Sequence, residues 1–350
     1  MTDKIAVLTA ISVFCHINYA YIYRLLSTKV DKAKSKKEVN GIEHYLSIAI
    51  LLYTFAAIFI GVAIFICYLL YGCDFDISKG NILNQFQAYN LLIPLFIMAI
   101  LYSLHITTEA YAIGKYKTAS YMIFFQFSII VTFVWDWYFK GMNRPIAIND
   151  KLALIGQVII SIVALINFSK VKSEKQDFSF FSKNSLIALI SAFCCGSGIF
   201  IDSEFAENVI FVKLDTQNHF VPYLVYELLT FLLPVFLVYL FYIKKFGIKR
   251  SCKVFEIFKK NKLLILLSSF FSAGQFVFAI YSLGQSENKI MPITIIALTG
   301  FASTIYTILL DFIINTFYKK NKFEINKQEV IKLLILSIFS LFTLKHILSL

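Results

Sequence analysis

Long uncharged segments recur along the whole chain and constrain its fold more than any other feature. A helix needs about 20 mostly apolar residues to cross the hydrocarbon core of a bilayer. Nine uncharged segments approach or exceed that length, and a shorter tenth is flanked by Lys332 and Lys345, whose long side chains can reach the two interfaces. They predict an all-α membrane protein with ten transmembrane helices. The segments are 5–23, 45–73, 80–108, 118–135, 152–169, 184–201, 228–243, 263–286, 290–310 and 333–344.

The composition excludes a soluble chain and a disordered one. Hydrophobic residues make up 59% of the sequence and charged residues 15%, whereas soluble domains have roughly 45–50% and roughly 25%. A water-soluble fold cannot hide so much apolar surface, and the chain is too apolar to stay disordered. We therefore expect the lipid bilayer to surround it.

No motif indicates an enzyme, a metal centre or a cofactor. The sequence has no phosphate-binding loop of the GxxxxGK[ST] type, which argues against an ATP-driven pump. Its six cysteines show no spacing typical of a zinc site or a disulfide framework. The net charge of +12 comes from lysines in short gaps between apolar segments, where they set topology and contact anionic lipids. We expect no catalytic residues, no metal, no cofactor and no nucleic-acid partner.

The basic residues are distributed unequally between alternate gaps. If ten helices span the membrane, 24 of the 33 Lys and Arg residues fall on one side, and eight fall on the other. Because cytoplasmic loops carry the excess of positive charge, the rich side is expected to face the cytoplasm. Both termini are then expected outside.

A faint repeat divides the chain into halves. Tyr-Ala-Ile-Gly at 111–114 recurs as Tyr-Ser-Leu-Gly at 281–284, 170 residues later. The lysine-rich gap between the first two segments has a lysine-poor counterpart in the second half, as expected if the second half inserts upside down. We predict two inverted five-helix repeats, 1–175 and 176–350. Inverted repeats are common in secondary transporters, which bind substrate near the bilayer midplane.

Two polar stretches interrupt the apolar pattern in a recognisable way. Tyr-Ser-Leu-His occupies 102–105 and is followed by a Tyr-x4-Gln element formed by Tyr121 and Gln126; Cys-Gly-Ser-Gly-Ile-Phe-Ile-Asp occupies 195–202. These stretches, together with 274–290, resemble the drug/metabolite transporter superfamily and, within it, the nucleotide-sugar transporters. The resemblance implies that the polar cluster and the Tyr-x4-Gln element line a substrate cavity, and that an acidic residue belongs near 202.

The sequence also departs from that family. Ser128 stands where the family usually has a lysine suited to phosphate, and His-Ile-Thr at 105–107 replaces a Gln-Asn pair. Near the link between the eighth and ninth segments the family's lysines are reduced to Lys289. These differences weaken the expectation of a nucleotide-sugar substrate. The resemblance also implies that both termini lie in the cytosol, which is opposite to the charge count.

Polar residues inside the apolar segments are the candidate substrate-binding residues, because an ionised side chain at the bilayer centre costs at least roughly 2.5–3.5 kcal/mol. His105 and Glu109 are four residues apart and therefore share a helix face. Glu227 could neutralise a cation or couple protons. The alternative is that these residues only join helices or reach the interface. The candidates are His16, Asn18, Tyr102, His105, Glu109, Tyr121, Gln126, Glu227 and Gln275.

The expected function is secondary transport of a small polar molecule by alternating access, in a cell membrane if bacterial or a Golgi or ER membrane if eukaryotic. The resemblance implies exchange of a nucleotide sugar for a nucleoside monophosphate. A proton-coupled exporter of small metabolites or drugs is the alternative that Ser128 favours, because a diphosphate needs cationic or amide partners. A polytopic membrane enzyme or accessory subunit is a further alternative. The partners expected are the substrate, the bilayer and a possible second copy in a homodimer.

Overall fold

The described part of the chain is entirely helical apart from the link residue Gly247. The computed structural model describes single residues between 8 and 26, and then 41–71, 92–115, 127–136, 138–139, 183–205 and 220–284. Within these stretches there is no strand. The continuous helices are α1 (Gly41–Tyr71), α2 (Leu92–Lys115), α3 (Phe127–Asp136), α4 (Lys183–Phe205), α5 (Phe220–Phe246) and α6 (Ser251–Gly284).

Four of these helices are long and apolar enough to cross a membrane: Gly41–Leu70, Leu92–Tyr111, Tyr223–Phe246 and Ile248–Phe278. Their outward side chains include large apolar groups such as Leu70 (73% exposed), which acyl chains would cover. The prediction of a helical, multi-pass membrane protein is confirmed for the described helices. The segments at 152–169, 290–310 and 333–344 lie outside the described residues, so ten helices and two inverted repeats stay predictions.

The helices pack around two buried clusters. α4 packs against α2 on one side and α3 on the other, while α1 packs against α5 and α6. The first cluster joins α1, α2, α5 and α6 and contains Met98, Tyr102, Tyr223, Tyr226 and Phe231. The second cluster includes buried residues of α1, α5 and α6, among them Leu46, Tyr242 and Ile265. The first cluster contains three tyrosines of the site described below, Tyr102, Tyr223 and Tyr226.

Small and hydroxyl-bearing residues let α3 and α4 approach closely, as is usual where membrane helices pack. The Thr132 hydroxyl lies 2.9 Å from the carbonyl oxygens of both Ser128 and Gly196. Trp135 donates its indole N–H to Ser197 Oγ over 2.9 Å. A Cβ at Gly196 would lie under 3.0 Å from the Ser128 carbonyl oxygen, so this contact requires a glycine.

The predicted helix boundaries differ from the structure most around 244–262. The sequence assigns these residues to a gap between two spans, but α5 continues to Phe246 and α6 starts at Ser251, with only Gly247 and the 3-10 turn Ile248–Arg250 between them. Gly247 has φ 85°, a left-handed conformation that glycine adopts without steric cost. The two helices extend into the predicted gap because the chain needs few residues to reverse and because lysines are good helix formers.

Candidate functional site

Asp202 and Glu227 form a buried acidic pair between α4 and α5. Asp202 is 1% exposed and Glu227 is 0% exposed, and the two carboxyl groups are close enough to interact electrostatically. Asp202 lies near the C-terminal end of α4, and Glu227 follows the first two turns of α5. Two carboxylates held together away from water require a proton or a cation, because ionised groups in hydrocarbon are costly.

Tyrosine hydroxyls from two helices surround Asp202. Tyr102 of α2 donates to Asp202 Oδ2 over 3.3 Å, and Tyr226 of α5 lies near the same carboxyl group. The Tyr226 hydroxyl additionally contacts the Met98 sulfur at 3.2 Å. Asp202 Oδ1 is buried and has no hydrogen-bond partner in the described part of the chain. One acidic oxygen is therefore available for a proton or a bound cation.

Glu227 is held by hydroxyl groups of its own helix. Tyr223, one turn earlier, places its oxygen 2.8 Å from Glu227 Oε1 and 2.9 Å from the carbonyl oxygen of Val277 in α6. The Thr230 hydroxyl lies 3.1 Å from Glu227 Oε2. The carboxyl group of Glu227 is thus tied, through Tyr223, to the backbone of α6.

Hydrogen counting around Tyr223 favours a protonated Glu227. Tyr223 has one hydroxyl hydrogen, and a carbonyl oxygen can only accept. If Glu227 were ionised it could also only accept, and one of the two short contacts would lack a hydrogen. If Glu227 carries a proton, it donates to Tyr223 and Tyr223 donates to Val277, so both contacts become hydrogen bonds. The proton on Glu227 is thus assigned from the hydrogen bonds that these oxygen atoms can form.

His105 and Glu109 form a second pair, the histidine pair, on α2. The Ser191 carbonyl oxygen of α4 lies 3.2 Å from His105 Nδ1 and accepts from it in the tautomer that carries a hydrogen on Nδ1. Ser191 Oγ lies 2.9 Å from the same nitrogen. His105 Nε2 faces Glu109 Oε2 at 3.8 Å. One imidazole nitrogen of His105 thus faces a serine of α4, and the other faces a carboxyl group of its own helix.

Polar side chains connect the histidine pair with the acidic pair. Tyr23 lies close to the Glu109 carboxyl group. Tyr53 of α1 interacts electrostatically with both Glu109 and Tyr102. At a rise of about 1.5 Å per residue, Tyr102 and Glu109 are about 10 Å apart along α2. Titratable groups therefore follow one another through the interior of the bundle.

The basic side chains that the structure describes lie together, where α5 ends and α6 begins. Among residues whose side chains the structure describes, every Lys and Arg lies between 244 and 262, and all are exposed. Lys244 is about 25 Å from Glu227 along α5, at about 1.5 Å per residue. Within the same part of the chain, no group of three or more His, Cys, Asp or Glu side chains could hold a metal ion.

The remaining predicted site residues are not part of either pair as described. His16, Tyr121 and Gln126 lie outside the described residues. Asn18 donates its side-chain amide to the Phe14 carbonyl oxygen, one turn earlier, over 2.8 Å. The Gln275 carbonyl oxygen accepts from Ser12 over 3.0 Å, while its side-chain Oε1 is buried with no hydrogen-bond partner among the described residues.

Tyr102 and Glu227 are two of the predicted substrate-binding residues. In the structure they lie beside residues that were not predicted to belong to the site. Asp202, Ser191 and Tyr226 are the main additions. Asp202 had one signal, the family resemblance, which implied an acidic residue near 202. Its place at the end of an apolar segment otherwise suggests an interfacial position. Ser191 carried no signal, because single serines are common in membrane helices and usually join them.

Comparison of the chain with protein-family models and with curated proteins finds no match. The resemblance to the drug/metabolite transporters thus depends on the quoted motifs alone, and function has to be argued from the two buried pairs.

Proposed function

We propose that this chain is a proton-coupled secondary transporter that exchanges protons for a small polar or cationic organic solute across a membrane. The observation that carries the proposal is the acidic pair, with the geometry around Tyr223 that favours a proton on Glu227. A buried carboxylic acid that can lose its proton is a site at which a cationic group and a proton compete.

The mechanism follows from that competition. With a proton on Glu227, the acidic pair is partly neutralised and the bundle can close over it. A cationic group of the solute that reaches Asp202 and Glu227 makes the ionised form favourable, and the proton leaves. Since both residues are at most 1% exposed, solute reaches them only when the helices separate, as alternating access requires. Binding of one species therefore excludes the other, which couples their movements.

The acidic pair supports this function over exchange of a nucleotide sugar. A diphosphate is stabilised by cationic or amide donors, whereas the buried groups around Asp202 and Glu227 are carboxyl and hydroxyl groups. Two carboxylates would repel a phosphate group. The described Lys and Arg side chains lie at the distant end of α5 and in the first turns of α6.

Proton release on binding tests the proposal directly. Purified protein in weakly buffered detergent with a pH indicator is titrated with a set of organic cations, including tetraphenylphosphonium, and with nucleotide sugars and nucleoside monophosphates. We expect proton release with at least one cation and none with the nucleotides. Proteoliposomes should then take up that cation when a pH gradient is imposed.

Matched variants assign the effect to the acidic pair. Asp202→Asn and Glu227→Gln should each abolish proton release and lower gradient-driven uptake at least about tenfold, because the exchangeable carboxylate is gone. Glu256→Gln, at an exposed position of α6, should leave both unchanged. Exchange of a nucleotide sugar for preloaded nucleoside monophosphate, without proton release by any cation, would contradict the proposal.

A further inference from the structure

α6 is too long to lie wholly inside a bilayer. Its 34 residues extend about 51 Å, whereas the hydrocarbon core is about 30 Å thick. A kink at Asn261 (φ −129°, ψ 22°) divides the helix. The charged residues of α6 lie between Lys253 and Lys262, and the helix carries no charge from Leu263 to its end. The first ten residues of α6 therefore belong to the headgroup region or beyond.

This first part of α6 is held firmly against the bundle. Val254 and Ile257 are 9% and 8% exposed and pack into the second buried cluster. Arg250, just before the helix, forms a 2.9 Å ion pair with Glu43 of α1. The Tyr242 hydroxyl donates to the Arg250 carbonyl oxygen over 3.1 Å. The surface that this segment presents outward is consequently well defined.

The outward surface combines lysines with large apolar side chains. Phe255 is 58% exposed, and Lys259 Nζ lies 4.8 Å from the centre of its ring. Ile248 and Leu263, at the two ends of the segment, are each 69% exposed. Leu263 directly follows Lys262 and begins the apolar surface that faces acyl chains, so the charged surface lies next to the hydrocarbon core.

Of the eight basic residues between 244 and 262, Arg250 and Lys253 lie beside Glu43, which Lys253 approaches to 3.7 Å. The six that remain include Lys245, whose Nζ lies 3.9 Å over the Tyr111 ring of α2. Glu256 is the single acidic residue within this stretch. We call these six residues the basic platform; they are Lys244, Lys245, Lys249, Lys259, Lys260 and Lys262.

We propose that the basic platform binds the headgroups of anionic phospholipids in the adjacent leaflet, with Phe255 and Ile248 in contact with the glycerol and upper acyl region. Clusters of four to eight Lys and Arg next to a transmembrane helix attract acidic lipids. An apolar group between the charges suits a lipid surface, which offers phosphate and hydrocarbon side by side. The inference requires only that α6 crosses a membrane, and it does not depend on the proposed transport function.

The exposed Cys252 provides a probe inside this surface. A full-length variant that keeps Cys252 as its single cysteine is labelled with a fluorophore and reconstituted in phosphatidylcholine vesicles containing some phosphatidylglycerol. Nitroxide quenchers are attached in turn to lipids with each headgroup. We expect phosphatidylglycerol to be favoured over phosphatidylcholine near the fluorophore by a factor of about five or more at low salt, and the preference to fall as salt rises.

Two matched sets of substitutions locate the effect. Replacing Lys249, Lys259, Lys260 and Lys262 by Gln should bring the preference close to one, whereas replacing the same four by Arg should preserve it. Replacing Lys140, Arg144, Lys151 and Lys213 by Gln removes the same charge from gaps that the charge count assigns to the opposite side of the membrane and should leave the preference unchanged. A preference near one in the unsubstituted protein, or equal losses in the two Gln sets, would overturn the proposal.

Discussion

The contact between α3 and α4 offers a sharp test of the packing around the candidate site. Substitution of Gly196 by Ala adds one methyl group at the closest approach of the two helices. Its Cβ would lie under 3.0 Å from the Ser128 carbonyl oxygen and 2.8 Å from Val131 Cβ. The carbonyl belongs to the backbone and cannot rotate away, so the helices must move apart.

The expected magnitude follows from two opposing effects. Overpacking a tight contact typically costs about 1–3 kcal/mol, and separation of the helices also weakens the 2.9 Å bond from Thr132 to the Gly196 carbonyl oxygen. Alanine is favoured over glycine in a helix by about 0.8–1.0 kcal/mol. We therefore expect Gly196→Ala to lower the free energy of unfolding by about 1–2 kcal/mol.

Gly61→Ala in α1 is the matched control, because a Cβ there would meet nothing within 4 Å. That variant gains the helix preference without the clash and should be more stable than the original by about 0.5–1 kcal/mol. Unfolding of both variants is followed by far-ultraviolet circular dichroism as a mild detergent is replaced by sodium dodecyl sulfate. Equal stability of Gly196→Ala and Gly61→Ala would refute this packing of α3 on α4.

Three further outcomes follow from the described contacts. Tyr223→Phe removes a buried hydroxyl that joins the Glu227 carboxyl group to the Val277 carbonyl oxygen and should lower the free energy of unfolding by about 1–3 kcal/mol. Tyr239→Phe, whose hydroxyl is part-buried and makes a 3.3 Å contact, should change it by less than about 1 kcal/mol; the same denaturation assay compares the two variants. Glu43→Gln should lower the free energy of unfolding by only about 1 kcal/mol because its partner Arg250 is half exposed. The loss should be smaller in high salt, and a larger loss in high salt would contradict this explanation. A membrane-impermeant maleimide should label Cys252 in folded protein within minutes and the described buried cysteines only after denaturation, as mass spectrometry of the peptides would report.

The helices, and the contacts between residues close together in the sequence, were predictable from the sequence alone. The length of the apolar segments predicts membrane-spanning helices because backbone groups in hydrocarbon must be satisfied within the helix itself. The four-residue spacing places His105 beside Glu109 and Tyr223 beside Glu227, since such residues share a face of any α-helix. Both pairs are found at 3.8 Å and 2.8 Å in the structure.

The tertiary structure alone decided which of those faces meet. Tyr102 reaches Asp202 across 100 residues, and His105 reaches Ser191 across 86; both contacts depend on α2 lying beside α4. Sequence periodicity could not identify this pairing, because lipid is as apolar as the protein interior and a membrane helix need not have one apolar and one polar face. The start of α6 could not be predicted for a related reason. Hydropathy indicates where a helix enters the hydrocarbon core, and it does not indicate at which residue the helix begins.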